Sequence, residues 1–321
     1  MRTFVRTVLT VLTLPIYGAW PAFAEPVPIT SPAAAMAAVV AVLPEWPDGY
    51  RRAEGALEEP EGSAVAVFPG GYFATNAHVL GRATKADVRL ADGRLVPAEI
   101  VGRDGRTDIA LIRIEGQFSV PEIAEPPAPG GRVCAIGNAF GLGISVTCGV
   151  VSALNRSNAG FNPVEDFIQT DAAVNPGASG GALVDEKGRL VGLLSAIFTK
   201  KGDANIGVNF AASTRLLLRV AEDIKTNGRV RAARIGWRLA PLEAAERRRD
   251  SGVRIVGVAD GSIAARSGLR AGDLLVRAGD RPVHLVSDAR VAAFLARPGS
   301  QLALEVKRDG QPVRLDLELT E

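Results

Sequence analysis

The chain has 321 residues, 47% of them hydrophobic and 22% charged. This is a globular composition that excludes wholesale disorder and, at about 150 residues per domain, points to two domains. Its 37 Lys and Arg stand against 35 Asp and Glu, a formal charge of +2, so it lacks the basic excess of a nucleic-acid-binding protein and none is expected as a partner. Only His78 and His284 offer an imidazole, and chemistry that needs one is confined to them.

The N-terminus reads as a leader. Arg2 and Arg6 precede an apolar stretch over 8–20, broken by Pro15 and closed by the small-x-small pattern Ala22-Phe23-Ala24. Residues 1–24 are therefore expected to be a signal peptide cleaved between Ala24 and Glu25, leaving an exported mature chain without net charge. An uncleaved anchor is the weaker alternative, because the run falls short of the ~20 residues needed to span a bilayer. No later segment is apolar enough to form a transmembrane segment of the mature chain.

Residues 25–61 read as an N-terminal arm rich in Pro, Ala and Glu. Within it, 31–43 is expected to form a short helix, capped by Ser31 with Pro32 at its first position, docked on this chain or on a neighbouring subunit. From Gly62 onward the pattern is β: 63–67, 72–75, 88–90, 95–101, 109–114, 133–136, 145–153, 181–184 and 190–197 read as strands separated by turns. Many short strands suggest an all-β barrel or sandwich. Residues 214–227 break the rhythm, with Leu217, Val220, Ala221 and Ile224 on one helical face and Gly228 as terminator. A basic linker at 229–234 leads into a smaller unit, 235–321, mixing strands with two short helices.

Cys134 and Cys148 flank a glycine-rich turn. Export permits a disulfide between them, and two small buried hydrophobes are an equal alternative. Two cysteines and one distant histidine lack the close ligand spacing of a metal site.

The strongest chemical signal is Asn175-Pro176-Gly177-Ala178-Ser179-Gly180-Gly181. A serine between glycines sits where the chain turns tightly, and Gly177 and Gly180 allow main-chain N–H groups to point at a developing oxyanion. A serine nucleophile needs a base, and the only upstream histidine is His78. Asp108, just before an apolar strand, is placed to orient the imidazole. The order His, Asp, Ser is one of the known triad arrangements. The same serine fits the nucleophile elbow of α/β-hydrolases, but that fold needs its histidine after the serine, and His284 lies in the separate small unit.

The stretches Thr75-Asn76-Ala77-His78-Val79, Thr107-Asp108-Ile109-Ala110-Leu111, Ala135-Ile136-Gly137-Asn138 and Gln169-Thr170-Asp171-Ala172-Ala173-Val174-Asn175-Pro176-Gly177 through Gly181 resemble HtrA/DegP-type serine proteases. The resemblance covers about 62–321. It implies a mainly β chain, with a trypsin-like double β-barrel protease domain over 62–228 followed by a small α+β PDZ domain over 235–321. It assigns His78 as general base, Asp108 as its orienting partner and Ser179 as nucleophile, with an oxyanion hole at Gly177, Ala178 and Ser179 built from the N–H groups of Gly177 and Ser179. Neither metal nor cofactor is called for. A homotrimer or a higher multiple is implied, as is regulation through hydrophobic C-terminal peptides bound to the PDZ domain.

Two departures stand out. Ala178 replaces the asparagine usual before the nucleophile, and Asn209 stands where the family often has glycine, near the specificity pocket. Trypsin-like enzymes that cleave after Lys or Arg carry an acid six residues before the serine; here that residue is Ala173. With Ile197 and Phe198 as a wall, the pocket is expected to be small and apolar and to select Val or Ala. In the PDZ domain, Ile235, Gly236 and Trp237 are expected to form the carboxylate-binding loop and the start of the groove strand. Val291 and Leu295 of the second helix would line the opposite side, for a peptide added as a strand. The alternative is a packing domain with a closed groove. His284 reads as a surface residue.

These expectations describe an exported, periplasmic serine endopeptidase acting on unfolded or damaged envelope proteins. The rivals are a chaperone or adaptor with an idle protease domain and a regulatory protease with few dedicated substrates.

Overall fold

A computed structural model describes residues 28–45, 62–197 and 206–321. The expected leader at 1–24, the middle of the expected arm and Phe198 lie outside the described residues.

The arm departs from expectation. Ser31 does cap a helix, its hydroxyl accepting from the Ala34 N–H at 3.2 Å, but α1 is only Pro32–Ala35. After a 3-10 turn the chain enters strand β1, Val39–Glu45. Alanines favour a helix up to residue 38, and the β-branched Val39, Val40 and Val42 then favour a pleated surface. β1 pairs with β2 (Gly62–Phe68) on one side and with β4 (Lys85–Arg89) on the other. The segment is thus a stave of this chain's own first barrel.

That barrel closes in the order β1-β2-β3-β6-β5-β4. Here β3 is Tyr72–Asn76, followed by the one-turn helix α2 (Ala77–Leu80), and β5 and β6 are Leu95–Asp104 and Ile109–Ile114. The continuous apolar run of β6 has a simple cause: it is buried on both faces. Ala110, Ile112 and Ile114 join Phe73 and Val88 in one core, while Ile109 and Leu111 join residues of helix α3 (Thr214–Asn227) in another. α3 carries the expected face, with Leu217, Val220, Ala221 and Ile224 fully buried. Ser213 caps its start, and Gly228, at φ 69°, ends it.

The second barrel closes in the order β10-β11-β12-β9-β8-β7. Its strands are β7 (Arg132–Gly137), β8 (Ser145–Arg156), β9 (Phe167–Thr170), β10 (Ala182–Asp185), β11 (Leu190–Ile197) and β12 (Asn209–Ser213). β9 and β12 had no clear sequence signal, being 4 and 5 residues long without alternation. Cys134 and Cys148 are directly opposed across β7 and β8 and form a disulfide.

The last unit is a sheet ordered β13-β14-β15-β17-β18, with β16 at its side. These are Trp237–Pro241, Val253–Val258, Leu274–Ala278, Gln301–Arg308, Gln311–Glu318 and, for β16, Arg281–Pro282. Two helices complete it: α4 (Ile263–Arg266), capped by Ser262, and α5 (Val286–Leu295). Its own core includes Ile255, Leu275, Leu304 and Leu317.

This unit docks on the second barrel through buried polar contacts. Arg281 pairs with Asp166, both almost fully buried. The Ser157 hydroxyl donates to Asp288 at 2.6 Å. Phe294 of α5 lies beneath the guanidinium groups of Arg106 and Arg219, at 5.0 and 5.6 Å. Among the described residues, no helix is long and apolar enough to cross a membrane.

The Cys134–Cys148 bond closes a loop with a sequence separation of 14. Replacing both cysteines by serine is expected to lower the unfolding free energy by about 2–4 kcal/mol, measured by denaturant titration in a non-reducing buffer. An unchanged midpoint would show that the strand pairing alone holds this hairpin.

Candidate active site

His78 is delivered by the reversal at the end of β3. Asn76 is the last strand residue, and α2 presents the imidazole with its side chain 52% exposed. Asp108 comes from the turn between β5 and β6. In that turn the Asp104 carboxylate accepts from Arg106 Nε at 2.9 Å and from the Thr107 hydroxyl at 3.0 Å. Asp108 itself is left-handed, at φ 58°, a conformation that costs a non-glycine residue roughly 1 kcal/mol or more. The turn is held there because the Asp108 carbonyl accepts from Asn76 Nδ2 at 2.9 Å and from the Ala77 N–H at 3.1 Å.

Both oxygens of Asp108 therefore meet His78. Oδ1 accepts from the His78 N–H at 2.8 Å, and Oδ2 lies 2.6 Å from Nδ1. A carboxylate in that position fixes the ring, keeps the proton on Nδ1 and leaves Nε2 free to act as an acceptor.

Ser179 belongs to the second barrel. Gly177 and Gly180 adopt φ 93° and 84°, which a side-chain-bearing residue resists. A Cβ on Gly180 would also lie 2.0 Å from the Ser63 carbonyl oxygen. The turn is closed by the Ala178 N–H on Asn175 O and the Gly181 N–H on Ala178 O, both 2.9 Å. Ala178 thus has no spare donor, while the N–H groups of Gly177 and Ser179 make no hydrogen bond among the described residues. Two free donors flanking a serine are what a developing oxyanion requires. No hydrogen bond joins Ser179 to His78 among the described residues; such bonds commonly form only when substrate binds.

Neighbours of this loop hold it in place, and two of them, Phe140 and Ser63, were not picked out from the sequence. The Phe140 N–H donates to Pro176 O at 2.7 Å. Because a trans peptide points its carbonyl and N–H in opposite directions, that bond sets the direction of the Gly177 N–H. The Ser63 hydroxyl donates to Gly177 O at 2.7 Å and accepts from the Asn138 N–H at 2.9 Å. Ser63 opens an unremarkable alternating strand, and only its neighbours across the seam reveal its part. Gly137 has a local reason too, since a Cβ there would lie 2.9 Å from the Ala178 Cα.

Of the residues expected around the specificity pocket, the structure describes Ala173, Asn209 and the main chain of Ile197. Ala173 is exposed, and its carbonyl accepts from the Thr147 hydroxyl at 2.6 Å. Asn209 is fully buried and donates to Ala172 O at 2.9 Å, so it holds the main chain next to Ala173. Ile197 pairs with Asn209 in the β11–β12 register.

In the smaller unit a cavity of about 440 Å³ lies between β13 and α5. Ile235 and Trp237 line it as expected, together with Leu239. Gly236 has φ 80°, and a Cβ there would lie 2.3 Å from Ser262 Cβ. The helix wall needs correction. Val286, Arg290, Ala293 and Phe294 line the cavity, whereas Val291 and Leu295 do not. Val291 is fully buried in the core shared with α3, and Leu295 packs against that core. The i, i+4 spacing was right and the phase was wrong, because one residue turns a helix by about 100° and α5 is apolar on two faces. His284 is exposed, with Nδ1 2.7 Å from the Ser251 hydroxyl.

Replacing Ser63 by alanine removes the bridge between Asn138 and Gly177. It is expected to cost about 1–3 kcal/mol of stability and to lower kcat for an unfolded protein substrate roughly tenfold with KM little changed, as loss of aim at the oxyanion would. Thermal melts and steady-state kinetics check both. A raised KM with unchanged kcat would place the effect in substrate binding.

Comparison with known proteins agrees with this geometry. Residues 62–193 match the family model of a trypsin-like peptidase domain, and residues 206–319 match that of a PDZ domain. The chain is 38% identical over 258 residues to the periplasmic serine endoprotease DegP of Escherichia coli K12, covering 78% of this chain and 54% of that protein. It is 33% identical over 258 residues to the periplasmic pH-dependent serine endoprotease DegQ of the same organism, covering 78% and 56%. It spans about half the length of these curated relatives. Among solved structures it resembles the HtrA-type protease AlgW with tripeptide, at 35% identity and a TM-score of 0.70, covering 89% of this chain and 94% of that one. The serine endoprotease from Yersinia pestis superposes with a TM-score of 0.60 at 31% identity, covering 91% of this chain and 95% of that one. By sequence and by fold, the chain belongs to the HtrA/DegP family of serine proteases, with a trypsin-like domain and one PDZ domain.

Proposed function

We propose that the chain is an exported serine endopeptidase that acts in the periplasm on unfolded or damaged envelope proteins. The observation that carries this reading is the His78–Asp108 pair at 2.6 Å, set beside a serine loop with two free main-chain donors. In this mechanism His78 Nε2 takes the Ser179 proton as Oγ attacks the scissile carbonyl. The N–H groups of Gly177 and Ser179 receive the oxyanion, and the imidazolium returns its proton to the leaving amine. Water, deprotonated by the same imidazole, then releases the acyl group. Asp108 stabilises the imidazolium and stays ionised throughout.

Ala173, Ile197, Phe198 and Asn209 are the residues assigned to a small apolar specificity pocket, which favours cleavage after Val or Ala. The cleft between β13 and α5 takes the C-terminus of a substrate or activator as an added strand. Export rests on the leader that ends at Ala24, and the relatives DegP and DegQ carry the description periplasmic. The working assembly is a homotrimer or a multiple of one.

The test is digestion of unfolded casein by the chain starting at Glu25, beside its Ser179→Ala and Asp108→Asn forms. Turnover is expected to fall by a factor of about 10⁴ in Asp108→Asn and to be undetectable in Ser179→Ala. New termini are expected to follow Val or Ala. Equal cleavage by Ser179→Ala rejects the nucleophile, and dominant cleavage after Lys or Arg rejects the pocket.

A further inference from the structure

The cleft between β13 and α5 is not walled by the PDZ unit alone. Pro163 and Val164, from the loop that follows β8, and Arg106, from the turn that ends in Asp108, close it from the protease side. Two of the lining residues are cations, Arg106 and Arg290, and none is a carboxylate.

Arg106 is held in place before any ligand arrives. Its carbonyl accepts from the Val164 N–H at 3.0 Å, its Nε donates to Asp104 at 2.9 Å, and its guanidinium lies 5.0 Å above the Phe294 ring. The terminal nitrogens make no hydrogen bond among the described residues, so they are available to a ligand. Asp104 offsets part of this charge. Arg290 is not offset in that way, since it donates to a neutral group, Pro163 O, at 3.0 Å. The cleft therefore keeps an excess of positive charge beside an apolar floor of Ile235, Trp237 and Leu239.

We infer that this groove selects C-terminal peptides with an apolar last residue and a Glu or Asp within the three residues before it, the acid being read jointly by Arg106 of the protease domain and Arg290 of the PDZ unit. The inference rests on the cleft being a peptide site, as proposed above. An arginine already fixed in place loses little freedom when it bonds a carboxylate, and the same charges repel a lysine in the acid's position.

The experiment uses the mature chain with Ser179→Ala, so that ligands survive. Binding of fluorescent decapeptides is followed by anisotropy. They share one apolar C-terminal residue and carry Gln throughout, or a single Glu or Lys at the second, third or fourth position from the end. At least one Glu peptide is expected to bind about tenfold more tightly than its Gln parent, as a charge-assisted hydrogen bond would give. The matching Lys peptide is expected to bind more weakly than the parent. The Glu advantage, read as the ratio of Glu-peptide to Gln-parent affinity, is expected to shrink with added salt and to vanish in Arg106→Gln/Arg290→Gln. Equal affinity for Glu and Gln peptides overturns the inference and leaves the peptide groove standing. Binding of no peptide removes the groove and the inference together. If the double variant fails to fold, the Glu-to-Gln ratio and its salt dependence in the Ser179→Ala protein decide alone.

Discussion

The chemistry depends on a seam between two barrels, and one residue of the first barrel, Ser63, holds the second in register. Its N–H donates to Ser179 O at 2.8 Å, its hydroxyl donates to Gly177 O at 2.7 Å, and its own carbonyl accepts from the Thr75 hydroxyl at 2.7 Å. Ser63 and Thr75 are fully buried, where an unmade hydrogen bond costs more than a made one contributes. His78 and Asp108 belong to one barrel and Ser179 to the other, so a shift of about 1 Å at this seam would change the spacing between the proposed base and the proposed nucleophile. Gly180 completes the arrangement by lacking the Cβ that would collide with Ser63 O.

The turn over residues 104–108 faces in two directions. Towards the barrel it presents Asp108 to His78, with the strain of a left-handed residue borne by bonds from Asn76 and Ala77. Towards the PDZ unit it presents Arg106 to Phe294 and to the cleft. The main chain of this turn is also tied to the loop after β8 through Val164. The acidic member of the His–Asp pair and one wall of the cleft between β13 and α5 therefore lie on one short piece of chain.

Docking of the PDZ unit follows the same logic of buried polar contacts. Arg281 and Asp166 are both nearly inaccessible to water. Removing either one would strand the other's charge, which costs about 3–5 kcal/mol. Around that pair, Asp288 collects the Ser157 hydroxyl and the N–H groups of His284 and Leu285. α5 is consequently used on two faces: Val291 packs into the shared core, while Val286, Arg290 and Ala293 face the cleft.

Much of this was legible locally. Alternation and turn residues marked most strands of both barrels, the apolar face of 214–227 and Gly228 marked α3, and the glycines around Ser179 marked the serine loop, because each of these signals acts within a few residues. Three things were not legible. β1 lay hidden behind an alanine-rich start, since only pairing to β2 and β4 makes 39–45 a strand. β9 and β12 are too short to show a period. The phase of α5 was set by its neighbours, because a helix apolar on two faces does not declare which one meets the protease domain. The sequence by itself determined most of the elements, the order of His78, Asp108 and Ser179, and the two-part organisation, all of which rest on short-range stereochemistry and composition. Only the tertiary structure decided that Ser63 bridges the barrels, that the cysteines pair and that Arg106 walls the cleft between β13 and α5. Those contacts join residues distant in sequence, such as Ser63 and Gly177 at a separation of 114, and no local pattern encodes a distance of that kind.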